Sequence, residues 1–435
     1  MHRLWKSWQS FVFVCLSALA VAGCDSPAAN FRTNGVYIGK NIGSELRGEV
    51  DVSEDASSEE VREKKEAVRE AQAGREEQLI TINEALVAMF GTPDDPYIVA
   101  DDEIGVTEVI DPALLPLAAG PVGRDENGVA HGLYRQHCVH CHGVTGDGQG
   151  PTAAFLNPYP RDFRMGIYKF KSTPSTTPPT DRDLKKVLRE GIAGTAMPSF
   201  KALLADDEMD TLINYVKYLS VRGEVERKLI YELTFIDPDE PFDTSKDFLV
   251  DTVLADVVNR WAQADEMVTP VPGAPEWTEQ ERMEAVARGK ELFQGKLANC
   301  YSCHGVTALG DGQLGDFDDW TKDLVDFSKI ANAEEREERM EEFVYWGGLP
   351  PRNIQPRNLR LGVYRGGRRP MDLYWRIKNG IAGSPMPAAG MKPAPDQPGL
   401  TEDDLWDLIA YVQYLPYETL SQPPESVVEN LRENP

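Results

Sequence analysis

Cys138-Val139-His140-Cys141-His142 and Cys300-Tyr301-Ser302-Cys303-His304 are two copies of one pattern, C-x-x-C-H, in a single chain of 435 residues. Each copy supplies two thiols that can add to the vinyl groups of a haem and a histidine that can bind its iron. A bare C-x-x-C also suits a disulfide or half of a zinc site. The histidine directly after both pairs, with no other cluster of Cys or His, argues against zinc.

The repetition continues downstream. His142-Gly143-Val144-Thr145-Gly146-Asp147-Gly148-Gln149 is matched by His304-Gly305-Val306-Thr307 and then, after a two-residue insertion, by Gly310-Asp311-Gly312-Gln313. Pro160-Arg161-Asp162-Phe163-Arg164 returns as Pro356-Arg357-Asn358-Leu359-Arg360, and Gly166-Ile167-Tyr168-Lys169 as Gly362-Val363-Tyr364-Arg365. Gly191-Ile192-Ala193-Gly194-Thr195-Ala196-Met197-Pro198 returns as Gly380-Ile381-Ala382-Gly383-Ser384-Pro385-Met386-Pro387, and residues 212–219 return as 408–415. Each unit has one C-x-x-C-H motif, one methionine loop and one closing helix. Helical patterns over 127–137 and 279–296 lead into the motifs. Others over 181–190 and 371–379 precede the methionine loops, with Gly191 and Gly380 as caps. Residues 206–221 and 401–414 carry apolar side chains at helical spacing. Strand signals are weak throughout. The expected fold is mostly α: two tandem domains joined by a partly helical linker and preceded by a helical stalk.

Four of the six cysteines lie in the two motifs, which leaves Cys15 and Cys24. Arg3 and Lys6 open a segment whose apolar run, 11–22, is too short to span a bilayer and ends in Val21-Ala22-Gly23-Cys24. This resembles a bacterial lipoprotein cleavage box. Residues 1–23 then form the signal peptide and Cys24 becomes the lipidated first residue. An ordinary secretory peptide or an uncleaved anchor are the alternatives. All three put the rest of the chain outside the cytoplasm, on the periplasmic side of a bacterial membrane.

The remaining chain divides into a tether and stalk (24–96), a first domain (97–222), a linker (223–276), a second domain (277–418) with an insertion near 316–350, and a tail (419–435). Residues 25–58 are rich in Ser, Gly, Asp and Glu and read as a flexible tether. Residues 57–90 have a helical pattern, mostly charged at first, with apolar residues such as Leu79, Ile82, Leu86 and Phe90 only at the far end. That end is expected to pack on a domain. The linker, with apolar stretches at 229–235 and 248–261, is expected to lie between the domains. A formal net charge of -26 argues against nucleic acid as a partner and favours a protein with a basic docking patch.

His142 and His304 are the expected proximal ligands. The sixth position falls best to Met197 and Met386, each before a proline in a glycine-rich loop, where glycine lets the backbone approach the ring and proline stiffens it. A thioether ligand raises the reduction potential relative to a second histidine. Met165 competes for the first iron, and Met371 or Met391 for the second. His131, His137 and His140 read as surface residues around the first motif. Arg161 and Arg357 hold equal places in the repeats, and a guanidinium fork suits a propionate carboxylate; a solvated charged loop is the other reading. Tyr168 and Tyr364 could add hydroxyl donors. Arg365, Arg368 and Arg369 stand out in an acidic chain and could serve propionates or docking.

On these motifs, residues 125–222 and 277–418 resemble class I cytochrome c domains. The resemblance implies small helical folds, each around one covalently attached haem c with an exposed edge, and one-electron transfer. The Gly-Asp-Gly and Pro-Arg stretches look like those of cytochrome subunits attached to bacterial respiratory complexes. In this family a proline carbonyl after the motif often accepts a hydrogen bond from the proximal histidine. Pro151 fits that role. The second unit has Leu314-Gly315-Asp316 there and no proline, which bears on the orientation of its haem.

The function expected is a membrane-tethered di-haem cytochrome c. It would carry single electrons from a respiratory donor to a partner such as a terminal oxidase, with no small-molecule substrate and no enzymatic activity. The rivals are a di-haem cytochrome c peroxidase, which needs an open iron position, and a fixed cytochrome subunit of an oxidase or of alternative complex III. A haem-based sensor would need a five-coordinate iron and an output domain.

Overall fold

The computed structural model describes residues 29–48, 57–99, 101, 103–318, 326–394 and 396–422. The segment 1–23 read as a signal peptide, with Cys15, and also Cys24 and most of the tail lie outside them. Among the described residues no helix is long and apolar enough to cross a membrane.

Helix α1 (Gly35–Arg47) starts at Asn34, whose side chain accepts the Tyr37 N–H. It lies within the stretch read as a flexible tether, and the structure corrects that reading. Ile38 and Ile42 are buried, and Glu45 takes a 2.6 Å bond from Arg75 of the next helix. The adjoining face carries Gly35, Gly39 and Gly43, a row of missing side chains that receives Trp346 from the second domain's insertion. A Cβ on Gly43 would lie 3.2 Å from Trp346 Cζ2. The polar composition of the segment hid this role, which rests on a few apolar residues and on glycines one turn apart.

Helix α2 (Ser58–Phe90) opens with a capping box between Ser57 and Glu60. Its first half is mostly exposed. Its second half buries Ile82, Leu86, Met89 and Phe90 in the core of the first domain, as its late apolar residues predict. Gln78 pins it to the acidic turn of the linker through the Asp237 and Glu240 carbonyls, at 2.9 and 2.8 Å.

The first domain departs from expectation at its entry. Residues 127–137 do not form one helix. A short hairpin of β1 (Gly123–Arg124) and β2 (Ala130–His131) turns at Gly128, whose φ is +82°, and only α3 (Leu133–His137) is helical before the motif. Helix α4 (Val139–His142) carries the motif itself, and α5 (Asp181–Glu190) precedes the methionine loop. Helix α6 (Asp206–Glu232) runs eleven residues beyond the expected end at 221. Val225, Leu229 and Ile230 continue its buried stripe, so no physical stop exists there.

The linker therefore packs mainly on the first domain rather than midway between the two. A π-helical stretch, Leu249–Leu254, leads into α7 (Ala255–Ala262), whose Trp261 bonds Glu224 at 2.9 Å and meets Tyr168 edge-on. Thr269 then joins the two halves: its N–H donates to Ser172 O at 3.0 Å and its hydroxyl to Asn379 Oδ1 at 2.9 Å.

The second domain has α8 (Glu279–Gln294), α9 (Tyr301–His304), α10 (Ala333–Tyr345) in its insertion, α11 (Pro370–Asn379) and α12 (Glu402–Tyr414). Helices α8 and α12 cross at Gly289, where a Cβ would come within 2.9 Å of Tyr411 Cβ. Beside that contact Arg288 grips Asp407 with two bonds of 2.7 and 2.8 Å. Phe317, Phe327 and Phe343 of the insertion close around Val36 of α1 in a small core of their own. The N-terminal helix thus braces both domains.

Candidate haem-binding sites

Each C-x-x-C-H helix is one turn long and cannot hold itself. Its carbonyl end is tied down by the glycine turn that follows. Gly148 N–H donates to His142 O at 2.9 Å and Gly150 N–H to Cys141 O at 3.0 Å; Gly310 and Gly312 do the same for His304 and Cys303, at 2.8 and 3.1 Å. This register corrects the two-residue insertion read from the sequence. Counted from the histidine, the two turns are equal in length. Gly146 coincides with Ala308, not Gly310, and both have positive φ, +71° and +60°. The shared Gly-Asp-Gly letters are offset because the backbone bonds, not the aspartates, set the register.

His142 Nδ1 lies 3.0 Å from the Arg161 carbonyl, and His304 Nδ1 lies 3.2 Å from the Arg357 carbonyl. A carbonyl only accepts, so Nδ1 carries the proton and Nε2 keeps its lone pair for a metal. The partner is thus the residue after Pro160 or Pro356. This overturns the role expected of Pro151, and the missing proline in the second unit has no consequence, because both histidines are held alike. The sequence signal was available in the repeated Pro-Arg pair. Asp162, half-buried, fixes the first of these turns by accepting from the N–H and guanidinium of the buried Arg164. Burial pushes the His142 imidazole down to about 4 and lowers His304 as well, which keeps both rings neutral. His142 also stacks on Phe163 with ring centroids 4.5 Å apart.

The methionine loops are built alike. Ile192 N–H donates to Met197 O and Ile381 N–H to Met386 O, both at 3.0 Å. Thr195 Oγ1 accepts the Met197 N–H at 3.1 Å, and Ser384 Oγ accepts that of Met386 at 3.4 Å. Gly191, Gly194, Gly380 and Gly383 all have positive φ, which the tight loop requires.

In the first domain these parts line one cavity of about 450 Å³. Cys138, Cys141 and His142 stand on it together with Met197. Its wall is apolar, with Phe163, Leu184, Leu188, Leu212 and Val216. Met165 is buried outside this cavity, and its carbonyl receives Arg227. In the second domain Met371 is 39% exposed and Met391 lies in a bridge with Leu400, while Met386 repeats the setting of Met197. His137 rests against Phe200, His131 is 3.9 Å from Asp125, and His140 is exposed.

The residues present fit a covalently bound haem. The four motif cysteines are free thiols, and burial pushes Cys138 up to about 12 and Cys300 to about 11, so both stay neutral at the apolar wall. Among the described residues no cluster of His, Cys, Asp and Glu would hold a metal ion by itself. A model of the family Cytochrome c matches residues 130–220 and 286–416, just over half of the chain.

The chain belongs to the cytochrome c family. Cytochrome c domains imply covalently bound haem c and electron transfer, and here the family matches two separate regions. No curated protein matches the chain. Among solved structures, a chain of the reducing HAO-like protein complex of Kuenenia stuttgartiensis is similar at 24% identity, with a TM-score of 0.40 over 68% of this chain and 98% of that one.

The polar residues expected at the haem edges divide. Tyr168 and Tyr364 give no hydroxyl to the edge, contrary to expectation. Tyr168 shares a 2.6 Å bond with Ser220, and Tyr364 donates to Val412 O at 2.6 Å. Arg368 bonds Tyr417 and Arg369 pairs with Asp372, so the arginine cluster is split. Arg161 lines the first cavity, and Arg365, from the second domain, lines it too. No sequence pattern flagged that crossing.

Proposed function

We propose that this protein is a membrane-tethered di-haem cytochrome c, which carries single electrons between respiratory redox partners outside the cytoplasm. The observation that carries the reading is the meeting of His142 and Met197 on one apolar cavity, together with the matching build of the His304 and Met386 segments. Haem c supplies one-electron iron chemistry when bound at each site. The protein's part is to hold it. Cys138, Cys141, Cys300 and Cys303 tether it covalently, and His142 and His304 present Nε2 as proximal ligands. Met197 and Met386 would supply a thioether ligand to the iron, from loops stiffened by Pro198 and Pro387. The apolar wall excludes water, which lowers the reorganisation needed when charge changes. With both sixth positions filled, neither site is open to peroxide, and an electron carrier is favoured over a peroxidase. Lipidation of Cys24 would anchor the chain to the periplasmic face of a bacterial membrane, a reading that rests on the Val21-Ala22-Gly23-Cys24 box.

Absorption spectra of the ferric and ferrous protein, with haem content per chain and carbon monoxide added to the reduced form, test this reading. Two low-spin haems, a sulfur-to-iron charge-transfer band and no carbon monoxide uptake are expected. Ready uptake by either haem would put the peroxidase reading ahead.

A further inference from the structure

The two repeats meet through equivalent surfaces. By the repeat, Arg161 corresponds to Arg357, Ile167 to Val363, Lys169 to Arg365 and Gly194 to Gly383. A Cβ on Gly194 would lie 2.7 Å from Arg357 Nη2 and 3.3 Å from Val363 Cγ1. A Cβ on Gly383 would lie 3.1 Å from Ile167 Cγ2 and 3.2 Å from Arg161 Nη1. Each methionine loop is therefore covered by the Pro-Arg segment of the other domain, as in a two-fold dimer whose halves share one chain.

This seam collects positive charge in a chain of net charge -26. Arg161, Lys169, Arg357 and Arg365 gather there. Lys169 bonds Asp318 at 2.6 Å, while Arg357 Nη2 reaches only the Val363 carbonyl, at 3.3 Å. Among the described residues, the buried Nε atoms of Arg357 and Arg365 have no hydrogen-bond partner. Burial, with Arg161 beside it and Asp318 opposing, pushes the Lys169 ammonium down to about 8, and burial with Arg357 nearby lowers Arg365 against the same carboxylate, one anion among four cations. Clustered, half-buried cations with unpaired donors are costly unless an anion joins them. The wall of the first cavity is where Arg365 meets Arg161 and Lys169.

Resting on the haem-binding reading above, we propose that Arg365 of the second domain holds a propionate carboxylate of the haem in the first domain. Arg161 and Lys169 complete the anion well. The first haem thus joins the two domains, and its potential depends on a charge from the other one. A cation close to the ring disfavours the ferric state, so Arg365 raises the first haem's potential.

The test is a redox titration of the full-length holoprotein carrying Arg365→Gln or Arg365→Lys. The couple displaced by His304→Met identifies the second haem. Arg365→Gln is expected to shift the first haem's equilibrium about tenfold toward the ferric state, about 59 mV for one electron. The second haem should move much less, and Arg365→Lys should recover most of the shift. An unmoved first potential with a lower unfolding midpoint would make Arg365 a packing residue only. A larger shift of the second haem would place its charge with its own domain. Either result overturns the proposal and leaves the electron-carrier reading standing, whereas fewer than two haems per wild-type chain would sink both.

Discussion

Gly366 faces Phe170, its own counterpart in the first repeat: a Cβ on Gly366 would lie 2.6 Å from Phe170 Cγ. A position that meets its own equivalent lies on the local two-fold axis, so this pair marks the centre of the domain seam. Arg376 adds its guanidinium over the Phe170 ring, at 5.5 Å. Gly366 has φ +79°, so a side chain there is strained as well as crowded. Gly366→Ala is expected to cost about 1–3 kcal/mol in urea unfolding. Adding Phe170→Ala should recover part of that loss, because the two changes act on one contact.

Glu226 ties the N-terminal segment to the first domain. It accepts the Asn34 N–H at 2.8 Å and pairs with Arg222 at 2.9 Å, and both side chains are almost wholly buried. Arg222 in turn lies 4.0 Å over the Phe31 ring. Glu226→Ala strands a buried guanidinium and should cost about 3–5 kcal/mol. Replacing both partners by apolar residues should cost much less. Denaturant midpoints for the two variants decide the point.

Stability should climb with pH above 8. Burial pushes the Lys171 ammonium down to about 8, with Asp183 opposing and Arg260 assisting. Unfolded lysine titrates near 10.4, so between these values the unfolded chain binds more protons than the folded one. The cost of burying Lys171 is full below pH 8 and is relieved as pH rises toward 10. Above 10 the trend reverses, because burial raises Tyr134 and Tyr215 and the unfolded chain loses phenolic protons first. Lys169, also pushed down to about 8 by burial, acts in the same direction, so Lys171→Gln should remove about half of the climb in unfolding curves taken from pH 7.5 to 10.

Met197→Ala should open the first site. The expected result is carbon monoxide uptake by one haem of two, a fall in that haem's potential, and loss of about half the sulfur-to-iron band. Unchanged spectra would return the sixth position to another residue.

Much of this was legible in the chain. The helices at 181–190 and 401–414 carry caps and periodic apolar residues, and the structure puts them there. The motif residues and the methionine loops stand out because they recur in the same order in both repeats. What was misread involves backbone. Ala308 in a left-handed conformation does not look like Gly146 in letters, and the carbonyls of Arg161 and Arg357, which hold the histidines, belong to residues noticed for their side chains. The packing of α1 was hidden for the same reason, since glycines that receive Trp346 carry no hydrophobic signal.

By itself, the sequence determined the chemistry of each unit: two thiols and an imidazole within five residues, and a methionine loop further along the chain. The set occurs twice in the same order. Only the tertiary structure decided how the units face each other, because contacts such as Gly194 with Arg357 or Gly383 with Arg161 join residues far apart in the chain. Their energy depends on shape and on charge brought together by folding, and neither leaves a periodic mark along the chain.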